Sequence, residues 1–281
     1  MPDLFEGNQI TGTLRPTIAA ELGLPVVPVV AGGGDNAAGA VGMGIVEPGD
    51  GFISLGTSGV IFSVSDGFAP NAEQGVHAFC HALPDTWHQM AVILSASACL
   101  DWVTRLTGFA SVPMALQAAE EARGTPPIFL PYLSGERTPH NDASAKGVFF
   151  GLTSETDRGE LVRAVLEGVA FAMADGALVL RAAGTDITRL SVIGGGSRSQ
   201  FWAQMLADAL VATLEYRENA AVGPALGAAR LAAFAVEGGG EASKPPLVQS
   251  VDPVSNPVAS ERQSLFRDLY PTIKSQFARL T

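Results

Sequence analysis

One aspartate beside a run of glycines is the first candidate for chemistry in this sequence. Asp35 directly follows Gly32-Gly33-Gly34 and precedes Asn36. Glycines allow a ligand to approach the backbone closely, so Asp35 could accept a proton from a substrate hydroxyl as a general base. Asp35 could instead cap the amino terminus of a helix that begins there. The residues alone leave both interpretations open.

A second glycine-rich segment, Gly56-Thr57-Ser58-Gly59, separates two short apolar runs and predicts a hairpin turn. Backbone N–H groups converge in such a tight turn, and the hydroxyls of Thr57 and Ser58 add further donors. This arrangement suits phosphate oxygens. An ordinary hairpin turn is the equally weighted alternative.

The third segment contains Gly194, Gly195, Gly196 and Ser199 and lies between a predicted strand and a predicted helix. A glycine loop that opens a helix is typical of anion and nucleotide sites. The spacing nearly fits the dinucleotide-binding fingerprint, with Glu215 at the end of the next predicted strand. Ser199 replaces the third glycine of that fingerprint, and only one further strand and helix follow before a predicted linker. A dehydrogenase is therefore disfavoured.

Histidines offer a weaker candidate for a metal site. His77 and His81 are four residues apart with Cys80 between them. On a helix this spacing would direct both rings to one metal, but the segment predicts a strand, in which four residues span about 13 Å. Since no acidic third ligand lies near them in the pattern, we predict no metal site here.

Composition narrows the class of protein. Of the 281 residues 47% are hydrophobic and 16% are charged, where about 25% charged is typical of soluble domains, so a large buried core is expected. Two cysteines exclude a disulfide framework. The net charge of −11 argues against a nucleic-acid-binding protein.

The sequence also lacks the features of a membrane protein. The longest apolar stretch, residues 161–183, carries four charges, and the amino terminus does not look like a signal peptide. We therefore expect no membrane association and a cytoplasmic location.

Hydrophobic periodicity predicts hairpin strands first and then alternating helices and strands, which together indicate a mixed α/β domain. A polar loop is expected over residues 131–146, and a linker over residues 241–256. A final helical stretch over residues 257–278 is expected to break or kink at Pro271. The predicted strands are 26–30 (at a sheet edge), 51–55, 60–64, 75–80, 87–94, 128–130, 190–193 and 213–216, and the predicted longer helices are 97–106, 113–122, 158–183, 200–211 and 223–236.

A longer pattern resembles a known family. Gly147-Val148-Phe149-Phe150-Gly151-Leu152 is followed, after seven residues, by Glu160-Leu161-Val162-Arg163-Ala164-Val165-Leu166-Glu167. Together with the three glycine loops in this order, the pattern resembles the second half of the FGGY carbohydrate kinases. The resemblance implies an α/β domain of the actin-like ATPase (ribonuclease H-like) fold, with a mixed sheet and helices on both sides.

The resemblance also implies a domain organisation. Residues 1–34 would be the tail of the amino-terminal, sugar-binding domain, and residues 35–281 would be the carboxy-terminal, nucleotide-binding domain. The family's first phosphate loop, Asp-x-Gly-Thr, does not occur in this sequence. We therefore expect this chain to be a carboxy-terminal portion of a kinase.

Individual residues take roles from the resemblance. Asp35 would be the catalytic base and, with Asn36, would contact the sugar. Residues 95–102 would form a helix start beside the nucleotide. The expected cofactors are ATP and Mg²⁺. The second phosphate loop would be Gly56, Thr57, Ser58 and Gly59, and the adenosine loop Gly194, Gly195, Gly196 and Ser199.

The loop at residues 130–142 most resembles that of family members acting on D-xylulose. The implied reaction is phosphoryl transfer from Mg-ATP to a hydroxyl of this ketopentose, which gives D-xylulose 5-phosphate. The expected partners are therefore ATP and a small sugar, with a homodimer as a candidate assembly. A non-catalytic module of the same fold that binds a nucleotide or a sugar is the alternative function.

Overall fold

A seven-stranded sheet forms the centre of the computed structural model, which describes residues 2–194 and 199–280. The strands are β1 (Ile10–Thr13), β2 (Pro28–Val30), β3 (Gly51–Leu55), β4 (Gly59–Ser65), β5 (His77–Cys80), β6 (Trp87–Ile93), β7 (Ile128–Leu130), β8 (Val148–Phe150), β9 (Arg189–Ile193), β10 (Thr213–Arg217) and β11 (Leu247–Val251). The helices are α1 (Pro16–Leu22), α2 (Asp35–Gly42), α3 (Ser97–Leu106), α4 (Val112–Glu121), α5 (Arg158–Ala182), α6 (Gln200–Leu210), α7 (Gly223–Glu237) and α8 (Pro257–Phe277).

The order of the central sheet is β11-β10-β9-β3-β4-β6-β5. Strands β3, β9 and β10 are parallel, and the remaining neighbours are antiparallel. The prediction of a mixed sheet is confirmed. A separate two-stranded sheet pairs β7 with β8. Strand β8 contains residues 148–150, which belong to the family-like pattern that begins at Gly147.

Alternating side chains of the central strands explain why helices cover both faces of the sheet. Successive residues of a strand point to opposite faces. Phe52 and Phe62 pack with Met43, which directly follows α2, whereas Ile53 and Ile61 belong to the larger core around α5. The expected placement of helices on both sides is therefore confirmed.

Helix α5 is the structural centre of the larger core. It starts with a capping box, in which Asp157 Oδ1 accepts the N–H of Glu160 at 2.8 Å and Glu160 Oε2 accepts the N–H of Asp157 at 3.1 Å. Most of the residues between Gly159 and Leu180 are buried. A helix that is apolar on nearly all sides must lie inside the protein, which accounts for the sequence pattern found over residues 160–167.

The predicted linker is in part wrong, because residues 247–251 form strand β11. This strand pairs antiparallel with β10 at the edge of the sheet, and four of its five residues are exposed. Its exposure explains the misprediction: a largely solvent-exposed edge strand lacks the apolar alternation that marks a buried one.

The last helix, α8, continues through Pro271, so a break there, one of the two predicted outcomes, is wrong. Proline removes one backbone hydrogen bond, but buried side chains on both sides of it, Phe266, Tyr270 and Phe277, hold the helix on the protein. Arg262 adds an ion pair to Glu167 of α5 at 2.6 Å. Helix α8 thus packs back on its own domain.

Residues 2–30 form a small unit in which β1 and β2 pair antiparallel beside α1. Neither β1 nor α1 was predicted. This unit exposes several apolar side chains, namely Leu4, Ile10, Leu22, Leu24, Val26 and Val29. The division of the chain at residue 34 remains an expectation. Among the helices of residues 2–194 and 199–280, none has the length and hydropathy required to cross a membrane.

Glycines allow α2 and α7 to pack in close contact. A Cβ atom on Gly227 of α7 would overlap the carbonyl oxygen of Ala38, and one on Gly42 of α2 would overlap that of Gly223. Arg230 also donates to the carbonyl oxygen of Val41 at 3.0 Å across this contact. The two helices therefore behave as one packed pair whose separation is fixed by backbone atoms.

We predict that Gly227→Ala destabilises the protein by about 1–3 kcal/mol, the usual cost of overpacking. The matched control is Gly39→Ala in the same interface, where the new Cβ would lie 3.7 Å from Pro224 Cγ, an ordinary contact. Since alanine favours helix more than glycine, this control should be neutral or stabilising. Urea unfolding midpoints of both variants measure the difference, and equal midpoints would contradict the prediction.

Candidate functional site

Two of the three glycine segments meet at one edge of the central sheet. Strands β3 and β9 are parallel neighbours, with Ser54 opposite Ile193, so both strands end at the same edge. Gly194 follows β9 with φ +89°, and a Cβ there would lie 3.5 Å from both Leu55 N and Leu55 O. Crevices at the carboxyl ends of parallel strands are common ligand sites in α/β proteins.

The loop at residues 56–59 is anchored to the amino terminus of α3. Ser97 donates its N–H to Gly56 O at 2.9 Å and its hydroxyl to Leu55 O at 3.1 Å, and Ala96 donates its N–H to Thr57 O at 2.9 Å. The segment 95–102, expected beside the nucleotide, therefore directly supports this loop. The carbonyl groups of the loop face the helix, which leaves its other side open.

The residues of this loop differ in what they can offer a ligand. Gly56 and Thr57 are exposed, and the Thr57 hydroxyl has no hydrogen-bond partner among the described residues. Ser58 donates its hydroxyl to Leu94 O at 3.3 Å, so the expectation of a free donor there is wrong. Gly59 is buried, and a Cβ on it would lie 2.5 Å from Met173 Sδ. Thr57 is thus the side chain of the loop that is free for a phosphate.

The third segment is described at its two ends. Gly194 lies beside Leu55, as above, whereas the predicted contacts of Gly195 and Gly196 lie outside the described residues. Ser199 is the N-cap of α6, and its Oγ accepts the N–H of Trp202 at 3.3 Å. The amino terminus of α6 therefore opens at the end of the loop, where the helix dipole favours a negative charge.

Asp35 lies at the start of α2, but not as its cap. The N-cap is Gly34, and Asp35 is the first helical residue, so the capping interpretation is wrong. Asp35 Oδ1 accepts the backbone N–H of Asn36 at 2.8 Å and its Nδ2 at 3.2 Å. The side chain is exposed, and no described hydrogen bond occupies Oδ2. The carboxylate is thus oriented through one oxygen and available through the other.

A cleft of about 540 Å³ lies beside the glycines that precede Asp35. Its walls include Glu6 and Gln9 from the first unit, Gly32-Gly33-Gly34, and His81. Gly32 donates its N–H to Gly7 O at 2.9 Å, which joins the two walls. The structure describes no contact between Asp35 and either glycine loop; it brings the two loops together and leaves the carboxylate next to this separate cleft.

The histidines near this cleft belong to the interior. His77 is in the strand β5, as predicted, and stacks on Phe79. His81 and His88 are each 4% exposed and contact each other edge to face. Burial lowers the pKa of both rings to about 4, so they are neutral at pH 7. Within residues 2–194 and 199–280 no cluster of three or more metal-ligating side chains is present.

Comparison with known proteins identifies the family to which this chain is similar. Residues 51–236 match the model of the FGGY family of carbohydrate kinases, C-terminal domain. The chain is 57% identical over 237 residues to a xylulose kinase of Escherichia coli, and this match covers 84% of the chain and 49% of that protein. It is 51% identical over 285 residues to a xylulose kinase of Klebsiella pneumoniae, covering 98% of the chain and 58% of that protein.

A crystal structure of a "xyloylose kinase" from Brucella ovis superposes with a TM-score of 0.91 at 45% identity, covering 98% of this chain and 58% of that one. The α/β architecture is therefore that of the FGGY sugar kinases, and the predicted actin-like fold is confirmed. The chain spans about half the length of the curated relatives it matches.

Thr57 and Ser58, the two hydroxyl residues of the loop at residues 56–59, are predicted to differ in what their substitution changes. One variant should mainly lower ligand affinity, and the other should mainly lower stability. Thr57→Val keeps the shape of the side chain and removes its free hydroxyl, so ADP affinity should fall about 10-fold or more, the value of a hydrogen bond to a charged group. Its urea midpoint should stay that of the wild type.

Ser58→Ala is the matched control, because its hydroxyl binds Leu94 rather than solvent. It should lower the free energy of unfolding by about 1 kcal/mol and weaken ADP binding less than Thr57→Val does, because it removes no hydroxyl that is free for a ligand. Titration calorimetry and urea unfolding of the 281-residue chain measure both quantities. Equal losses of affinity in the two variants would contradict the assignment of Thr57.

Proposed function

This chain belongs to the FGGY family of carbohydrate kinases, and we propose that it forms the ATP-binding half of a kinase that phosphorylates D-xylulose. The observation that carries the proposal is the parallel pairing of β3 with β9, which brings the loop at residues 56–59 next to Gly194 at one sheet edge. The identity of 57% to a relative named xylulose kinase supports this sugar as the acceptor.

In this proposal the nucleotide spans the two adjacent loops. Its phosphates lie against Gly56, Thr57, Ser58 and Gly59, where Thr57 donates a hydroxyl. Its adenosine lies along Gly194, Gly195, Gly196 and Ser199, close to the amino terminus of α6. The loop at residues 56–59 is held by hydrogen bonds from Ala96 and Ser97, so its donors can stabilise developing charge without rearranging.

Mg²⁺ fits this site as an ion carried by the nucleotide. The described residues hold no cluster of carboxylates that would form a metal cage, and Mg²⁺ commonly binds through substrate phosphates, waters and few protein oxygens. When bound, the ion would neutralise charge on the phosphate oxygens.

Asp35 is proposed as the general base for the sugar hydroxyl. Asn36 donates to Oδ1, and Oδ2 is left to accept the hydroxyl proton. As the sugar oxygen bonds to the terminal phosphorus of ATP, the bond from that phosphorus to ADP breaks and ADP leaves. Asn36 would contact the same sugar through its amide. Phosphoryl transfer depends mainly on position and charge, so the base must reach the acceptor in the closed complex.

Asp35→Asn should lower kcat by about 10²–10⁴-fold, the usual contribution of a general base. Because Asp35 does not cap α2, its urea midpoint and ADP affinity should not change. The variant is assayed in the complete kinase, expressed from the whole reading frame that encodes these residues. Asp66→Asn, an exposed aspartate that follows the far end of β4, is the control. A kcat within a few-fold of the wild type would remove Asp35 from this role.

The choice of sugar is tested by comparing acceptors. The complete kinase should have a higher kcat/KM for D-xylulose than for glycerol or gluconate, which coupled ADP release measures. A higher value for glycerol would overturn the sugar assignment. Nucleotide binding with no turnover on any sugar would instead favour the non-catalytic module.

Location and assembly follow from the same proposal. An ATP-consuming sugar kinase belongs in the cytoplasm, and both cysteines, Cys80 and Cys99, are free. A homodimer is supported by the edge strand β11, which exposes Leu247 and Val248, since an exposed apolar edge can pair with another chain. Light scattering that gives the mass of one chain would exclude the dimer.

A further inference from the structure

A segment of the polar loop extends the edge of the central sheet. Strand β5 pairs with residues 87–90 of β6. Beyond it, Thr138 donates its N–H to Val92 O at 3.1 Å, and its Oγ1 accepts the N–H of Val92 at 3.0 Å. Glu136 Oε1 accepts the N–H of Leu94 at 2.9 Å. The loop is thus attached to the last residues of β6, just before α3.

Glu136 is unusual for a carboxylate at a protein surface loop, because it is only 2% exposed. Its Oε1 also accepts the N–H of Arg137 at 2.7 Å. Its Oε2 is buried and has no hydrogen-bond partner among the described residues. A buried carboxylate oxygen without a donor is costly, so this oxygen is where a proton would be held.

Burial raises the pKa of Glu136 to about 7, although the two backbone N–H groups and Arg137 act against this. The other titratable groups that interact with it are the Cys99 thiol of α3 and the Tyr132 hydroxyl, whose pKa values are both raised. These two groups are neutral near pH 7. The carboxyl group therefore changes its charge in the neutral pH range while its neighbours do not.

Leu94 connects this carboxyl group to the loop at residues 56–59. Its N–H is held by Glu136, and its carbonyl oxygen accepts the Ser58 hydroxyl at 3.3 Å. Two and three residues later, Ala96 and Ser97 donate their N–H groups to the carbonyl oxygens of Thr57 and Gly56, respectively. A displacement of Leu94 would therefore move three hydrogen bonds of the proposed phosphate loop together.

We propose that Glu136 is a positioning residue that fixes Leu94 and thereby sets the position of the loop at residues 56–59 for the nucleotide phosphates. This inference rests on the proposed function of that loop. The ionised carboxylate accepts stronger hydrogen bonds from Leu94 and Arg137 than the protonated group does. Nucleotide affinity is therefore higher with Glu136 ionised.

The test measures kcat and the KM for ATP separately in the complete kinase between pH 6 and 8.5. In parallel, ADP is titrated into the 281-residue chain to measure its Kd. Glu136→Ala should raise the KM for ATP and the Kd for ADP about 10-fold, the equivalent of about 1.4 kcal/mol. Its kcat should stay within about 3-fold, since a general base contributes far more and Glu136 does not supply it.

Glu136→Gln keeps an oxygen acceptor but cannot ionise. In the wild type the KM for ATP should rise as the pH falls through about 7, whereas this variant should show the low-pH KM of the wild type at every pH. This profile can be read even if Glu136→Ala does not fold. A pH dependence of KM that is unchanged in Glu136→Gln would overturn the proposal.

Asp142→Ala is the control for a merely structural effect. The backbone of Asp142 pairs with that of Glu136 through two hydrogen bonds of 2.9 and 2.8 Å, which the substitution keeps. The Asp142 side chain accepts the Ser144 N–H at 2.8 Å and the Tyr270 hydroxyl at 2.8 Å, and it has no bond to Leu94. It should lower the urea midpoint with little effect on the KM for ATP. An equal rise of KM in Asp142→Ala would overturn the proposal.

A wild-type chain that binds no ADP would overturn the proposed function itself, whereas normal binding by Glu136→Ala would overturn only the role of Glu136.

Discussion

The parallel pairing of β3 with β9 is the constraint on which the candidate site depends. The two strands are distant in sequence, and their pairing joins Phe52 to Ser191 and Ser54 to Ile193. Because parallel neighbours end at the same edge, each can deliver a glycine loop to one crevice. The pairing is held from both faces: Phe52 packs toward α2, and Ile53 packs toward α5. A loss of the packing on either face, toward α2 or toward α5, would separate the two glycine loops.

Backbone atoms rather than side chains define the shape of this site. Gly56 and Thr57 are held through their carbonyl groups, Gly194 lies against the backbone of Leu55, and Gly227 lies against that of Ala38. Main-chain contacts of this kind leave little room for adjustment, since close-packed interiors deform in discrete steps. At Gly227 the consequence is direct, because any Cβ there would open the contact with Ala38.

The sequence predicts those parts of the fold whose signal is local. The helical pattern over residues 158–183 predicts α5 with its observed start and within one residue of its observed end. The signal fails where a structure depends on distant partners. Strand β11 is mostly exposed and forms because β10 offers it an edge, and α8 continues through Pro271 because distant apolar residues bury its sides. Neither partner can be read from the local pattern.

The same distinction applies within the site. Thr57 and Ser58 are adjacent and chemically alike, but only the fold shows that Leu94, 36 residues away, takes the Ser58 hydroxyl. Asp35 matches the preference for a helix cap, yet Gly34 occupies that position and leaves the carboxylate exposed. Glu136 gives no signal in sequence, because its neighbours in the loop are equally polar. Its burial follows from the attachment of the loop to β6, a contact between residues 42 positions apart.

Catalysis would require the separate parts to be held in a fixed relation. In-line transfer needs the acceptor oxygen within about 3–3.5 Å of the phosphorus, yet Asp35 is on α2 while the glycine loops are at the sheet edge. Helix α2 is fixed to α7 by glycine contacts, and α7 follows β10, which is the parallel neighbour of β9. The proposed base is thus connected to β9, which leads into Gly194, through one continuous set of packed elements. Close packing of α2 on α7 is therefore a requirement of the proposed reaction as well as of stability.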